Sequence, residues 1–262
     1  KLQGMSKQLK QVSIETGVCT SDLTEGLYQV VSAFGESADN VSQMEIAAKA
    51  AKAGNATTVD SINLLSAVTK GYGDTSAAAM QKASDLSFMT VKLGQTSFPE
   101  LASSMGQVVP LASTLKVSQE ELFGAMSTLT GVTGGTAEVT TQLKATMQQF
   151  LSPSAEMQKA LTKMGYASGA AALESEGLGG ILNKLKDSVN GDQVAFANMF
   201  SSVEAKNAVL ALAGNQAENF ADKTQAMFEA SGAADAAFKT QTDSVKEMAG
   251  KLKNAGSVML ES

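Results

Sequence analysis

Apolar residues recur along this chain at intervals of three and four, the spacing of one face of an α-helix. Val41, Met44, Ala48 and Ala51 form one stripe, Ile62, Leu65, Val68 and Thr69 a second, and Leu122, Ala125, Met126 and Leu129 a third. No segment alternates apolar and polar residues convincingly, as a half-buried strand would. The spacing predicts helices near 2–16, 22–34, 38–53, 58–70, 75–93, 98–114, 119–130, 136–151, 154–164, 178–189, 193–212, 216–230 and 234–261. The fold class is therefore all-α: multiple short helical hairpins, then a longer C-terminal amphipathic helix.

Helix punctuation supports this division. Asp22 with Glu25, Thr57 with Asp60, Ser97 with Glu100 and Ser118 with Glu121 each place a capping residue three positions before an acid, the spacing of a capping box. Four segments close on Lys just before Gly: Lys52 and Gly54, Lys70 and Gly71, Lys92 and Gly94, Lys163 and Gly165. A cation suits the last turn, and Gly suits a left-handed cap. Pro99 and Pro153 stand at helix starts, where proline is tolerated.

Residues 52–60 align without gaps on 92–100, and Gly17–Thr20 is a weaker third copy. The echo suits either a stacked array of helix hairpins or an antiparallel bundle that reuses one turn chemistry. Three regions follow: a helical-hairpin core over 1–165, a Gly-rich joint over 166–180, and a second helical region with the long C-terminal helix over 181–262. In that last helix Val245, Met248, Leu252, Ala255 and Met259 make a narrow seam. It suits a coiled-coil contact or a helix folded back on its own chain.

Composition removes whole classes of chemistry. The chain has 20 basic residues, all Lys, against 26 acidic ones, no His and one Cys. There is no imidazole base to activate a serine or Cys19, and no guanidinium fork for phosphate. A net charge of −6 argues against duplex nucleic acid. Glu120 and Glu121 are adjacent and so do not face one another on a helix. Gly131–Gly135 lacks the lysine and the preceding strand of a phosphate loop, and Gly71–Gly73 reads as a turn. The 13 Met suit core packing better than a metal site. No catalytic, cofactor-binding or metal-ligating residue is assigned, and no enzyme activity is expected. Both ends read as cut from a longer chain.

Only Lys116, Glu120, Glu121, Glu138 and Lys144 carry charge between 101 and 155. Such a stretch is either the buried centre of a helical domain or a membrane-active segment. Pro110 and the glycines at 131, 134 and 135 interrupt it short of the roughly 20 apolar residues a spanning helix needs.

Glu100–Leu122 resembles the core of phage tail tape measure proteins of the TP901 type, notably in Ser118-Gln-Glu-Glu-Leu122 after a short turn. Gly131–Ala137, Phe150-Leu-Ser-Pro153, Lys163-Met-Gly165 and the Gly-Leu-Gly-Gly run ending at Gly180 continue the likeness, which covers roughly 17–255. Lys116 stands where the family has a Gly, and the order around Gly135-Thr-Ala differs from the family's. The resemblance implies a structural scaffold that sets tail-tube length during assembly and is released at infection, with no catalytic residues in this region. It further implies a homo-oligomer, a trimer first and six copies as the alternative, in the lumen of the virion tail. Tail tube and baseplate or tail-tip proteins would be its partners, with host-membrane contact on ejection and no specific nucleic acid. A membrane-active, pore-forming helical protein is the alternative, and the fate of 101–155 separates the two.

Overall fold

The computed structural model describes the backbone of residues 2–260 and the side chains of residues 7–246. The chain order is α1 (Leu2–Thr16), α2 (Thr20–Phe34), α3 (Asn40–Gly54), α4 (Thr58–Gly71), α5 (Ala77–Leu93), α6 (Phe98–Ser104), α7 (Val109–Thr114), α8 (Gln119–Leu129), α9 (Thr136–Leu151), α10 (Ala155–Lys163), α11 (Gly169–Asp187), α12 (Gln193–Asn198), α13 (Val203–Leu212), α14 (Ala217–Phe228) and α15 (Ala233–Leu260). There is no β-strand among the described residues, and the all-α class is what the structure shows.

Two expected helices are divided, and the expected joint is largely helical. The helix at 98–114 breaks into α6, a 3-10 turn at Met105–Gln107, and α7. Pro110 has no N–H to donate and its ring excludes the bond to Gly106, so it begins a helix instead. The helix at 193–212 breaks at Ser202, whose Oγ accepts the Ala205 N–H at 3.1 Å. That break sets Phe200 edge-on to both Phe196, at 5.7 Å, and Phe150, at 6.3 Å. In the Gly-rich 166–180 stretch the chain is helical from Gly169, with a left-handed break at Gly177, φ 70°.

The caps are partly as the spacing indicates. Thr57–Asp60 and Ser97–Glu100 are complete capping boxes. Ser118 accepts the Glu121 N–H, but the Glu121 carboxylate reaches the Leu178 N–H at 2.7 Å, just past the Gly177 break. Asp22 is no cap: Cys19 stands at the N-cap without a side-chain bond, and Asp22 lies in the first turn.

The four expected glycine stops serve two different ends. Gly165 is left-handed at φ 90°. Gly54 and Gly71 stay helical, and the left-handed positions are Asn55 and Gly73. A Cβ on Gly54 would sit 2.7 Å from Phe98, and one on Gly71 would strike Val109. Gly94 is extended, and a Cβ on it would lie 2.7 Å from Thr130 Oγ1 and 2.9 Å from Ser127 Cα. Three of the four glycines are thus there for close approach between helices.

A continuous hydrophobic cluster runs from Leu9 to Ala234, passing through Leu161, Leu173, Leu178 and Ile181 across the Gly-rich stretch. Of the twelve stripe residues named above, all but Val41 are buried. The low-charge 101–155 stretch is the centre of this cluster. Nine of the eleven residues of α8 are buried, under α5, α9, α13 and α14. Among the described residues no helix is long and apolar enough to cross a membrane. The first turns of α15 fold back on α3 and α5 of the same chain. Val245 is exposed, and the seam positions Met248, Leu252, Ala255 and Met259 lie outside the described side chains.

Lys116 occupies the left-handed region, φ 61°, where a Cβ costs about 1 kcal/mol. Its N–H reaches Ser113 O and the Val117 N–H reaches Ala112 O, so the turn is fixed by its neighbours. Lys116→Gly should raise stability by about 0.5 kcal/mol, part of the gain being offset by the freer unfolded chain. Urea unfolding of the two proteins checks this; a lower midpoint for the glycine variant contradicts it.

Candidate functional site

The best-defined feature is the encased centre around α8, and it is built for packing. Gly124 faces α14 so closely that a Cβ would lie 2.6 Å from Thr224 Oγ1 and 3.1 Å from its Cα. Glycine lets the two helix backbones meet. The Gly124 carbonyl accepts the hydroxyls of Ser127 and Thr128. From α14, Lys223 Nζ donates to Ser127 O at 2.8 Å. Burial pushes the Lys223 pKa below its ordinary value. The side chains of Ser127, Thr128 and Lys223 satisfy backbone carbonyls here.

Two buried acids flank this centre. Glu120 pairs with Lys82 across α5 and α8 at 2.7 Å. Asp85, only 5% exposed, accepts the N–H groups of Gly232 at 3.1 Å and Ala234 at 2.9 Å. An acid in the middle of one helix thereby caps the start of another, where unpaired N–H groups and the helix dipole favour negative charge. Gln81 Nε2 donates to the same carboxylate. Nothing near Asp85 in sequence signals this, because its partners lie 147 and 149 residues away.

Tyr72 closes the other end. Its hydroxyl donates to Val117 O at 3.1 Å. Burial, and then the charges of Glu120 and Glu121, push the phenol well above its ordinary pKa. Because the folded value is raised, the neutral phenol stabilises fully below the unfolded pKa of about 10, and the contribution is lost as pH rises past it. One of the three tyrosines should therefore form phenolate only as helical signal falls at alkaline pH. Tyr72→Phe should remove that coupled step; an unchanged titration refutes the assignment.

The residues singled out for chemistry are scattered. Cys19 is exposed, its Sγ 2.9 Å from Ser21 Oγ. Gly131–Gly135 is a tight turn closed by Gly131 N–H on Gly134 O, with Thr133 held by Gln142. Gly71–Gly73 ends α4. Among the described residues no three acids or thiols gather as metal ligands. A groove of about 650 Å³ runs between α5, the start of α6 and the first turns of α15. Its floor is the stacked pair Phe88 and Phe98, 5.0 Å apart.

The phage-related minor tail protein family matches residues 6–211. The chain belongs to that family. It is also 25% identical over 263 aligned residues to a probable tape measure protein of Clostridium phage phiCD119. That alignment takes in 97% of this chain and 28% of the relative, so the chain spans under a third of the relative's length. No solved structure matches. The family membership makes this a component of a phage tail, and the resemblance seen in Glu100–Leu122 lies within the matched residues.

Proposed function

We propose that this chain is one folded segment of a tape measure protein that sets tail-tube length during assembly and leaves the tail at infection. The supporting observation is the near-complete alignment of the chain to part of a tape measure protein. The segment works as a structural element, without enzymatic activity of its own. Its proposed place is the tail lumen, beside tube and tail-tip proteins and in several copies, three or six. The 101–151 face is spent inside the chain, so contacts between copies fall to α15 and to the rest of the parent. An acidic, arginine-free segment would also cling little to DNA sharing the channel.

As a continuous helix, 262 residues would span about 390 Å at the helical rise. The compact fold supports reading this segment as a body attached to the ruler, against the alternative that it folds compactly outside the tube and stretches within it. Deleting residues 55–94 in frame from the parent phage removes α4 and α5, and with them Leu64, Leu65, Met80 and Leu86 of the core. We expect failed tail assembly or tails of unchanged length under the electron microscope. Clean shortening by about 60 Å, the rise of the deleted residues as helix, refutes the compact reading. Inactivating the whole parent gene tests the broader assignment. Missing or irregular tails support it, and tails of normal, uniform length overturn it.

A further inference from the structure

The contact between Asp85 and the start of α15 reaches beyond packing. The chain between α14 and α15 is four residues, Glu229 to Gly232. That joint is already close to helical in its bonding. The Glu229 N–H donates to Ala226 O, Ala230 to Met227 O, Ala233 to Ala230 O and Ala236 to Gly232 O. Gly232, at φ 84°, carries the left-handed bend. It has nothing within 4 Å of where a Cβ would sit, so conformation and not space keeps it bent. No proline lies after Pro153, so no missing N–H or pyrrolidine ring interrupts a continuous helix through the joint.

The start of α15 docks on α3 and α5 through small side chains, with Ala233, Ala234 and Ala237 against the core. The residues it turns toward the groove are small, Ala233, Ala236, Ala237 and Thr240, and about 650 Å³ beside them is unfilled. Ala234 is buried, but Asp243 to Lys246 are already exposed. The two hydrogen bonds to Asp85 add a directional hold on the first turn of the helix.

We propose that Asp85 is a latch on a two-state element. While its carboxylate holds the first turn of α15, α14 and α15 are separate helices. When it lets go, Gly232 rewinds and the two join into one helix over 217–260, about 66 Å long at the helical rise. Opening leaves α14 seated on α8 through Gly124 and Thr224, so the core is retained and only the far arm moves. The proposal stands independently of the length-setting role.

The test is a distance measurement on the whole chain. Spin labels are placed through Asp222→Cys and Val245→Cys in a Cys19→Ser background, and read by double electron–electron resonance. The parent protein gives one shorter distance set by the bend. Asp85→Ala should add a population near 35 Å, the helical rise over those positions, while circular dichroism keeps its helical signal. Gly232→Ala, which leaves Asp85 intact, should populate the same longer distance, and the double variant should exceed either alone. If Asp85→Ala does not fold, the Gly232→Ala result decides alone. An unchanged distance in the folded variants overturns the latch. A broad spread without the longer distance overturns the joined helix.

Discussion

Gly169→Ala should be strongly damaging, lowering stability by about 3 kcal/mol and the melting temperature by roughly 6–12 °C. Gly169 begins α11, next to its cap Ser168. It is pressed against the end of α9. A Cβ there would overlap the Phe150 carbonyl oxygen, with Phe150 C at 2.9 Å and Cα at 3.0 Å. All three are backbone atoms, so no side-chain rotation gives relief. Phe150 also anchors Phe200, and a shift of α9 passes on to that pair. Gly106→Ala is the control. Its nearest neighbour would be Ala67 Cβ at 3.9 Å, and the change should be neutral or slightly stabilising. Equal melting temperatures for the two variants would show that the α9–α11 contact is not tight.

Gly124→Ala should cost about 2 kcal/mol. Alanine is favoured over glycine in a helix by about 1 kcal/mol, and against that stands overpacking at the crossing with α14. The added methyl meets Thr224 Oγ1 at 2.6 Å, Cα at 3.1 Å and N at 3.2 Å. The backbone atoms decide the sign, because they yield only if α14 moves bodily. The Thr224 hydroxyl already lacks a hydrogen-bond partner, so Thr224→Ala should recover part of the loss. A double-mutant cycle by chemical denaturation measures that coupling, expected at 0.5 kcal/mol or more. Additive effects would place the strain elsewhere.

These glycines mark the boundary of what the chain declares about itself. Local signals carried the helices: Thr57 with Asp60 and Ser97 with Glu100 start helices where their spacing puts them, and the stripes at 41–51, 62–69 and 122–129 point inward. The family was legible as well, because Glu100–Leu122 and the following turns keep an order that survives low identity. Long-range geometry was not legible. Gly54, Gly71 and Gly94 look like helix stops, yet their missing side chains serve Phe98, Val109 and Ser127 from other helices. Glu121 has the spacing of a capping acid, but its carboxylate is shared between the Ser118 hydroxyl and the Leu178 N–H of α11. Asp85 sits at an unremarkable helix interior position and caps a helix far along the chain. Breaks at Ser202 and Gly177 depend on which residues must meet in the core, and only the folded chain specifies that. Position 116 went the other way, since the glycine usual there in the family points to the left-handed turn that Lys116 adopts.

The enclosure of α8 also orders events while the chain is made. Its main cover is α14, and 96 residues separate Ser127 from the Lys223 that caps its carbonyl. At a synthesis rate of 5–20 residues per second, that stretch takes about 5–20 s to emerge. Throughout that interval Leu122, Phe123, Met126 and Leu129 have only part of their final surroundings. A nascent chain stalled before residue 217 would therefore present the most enclosed helix of the body to chaperones or to neighbouring chains. One stalled after residue 228 would have it sealed.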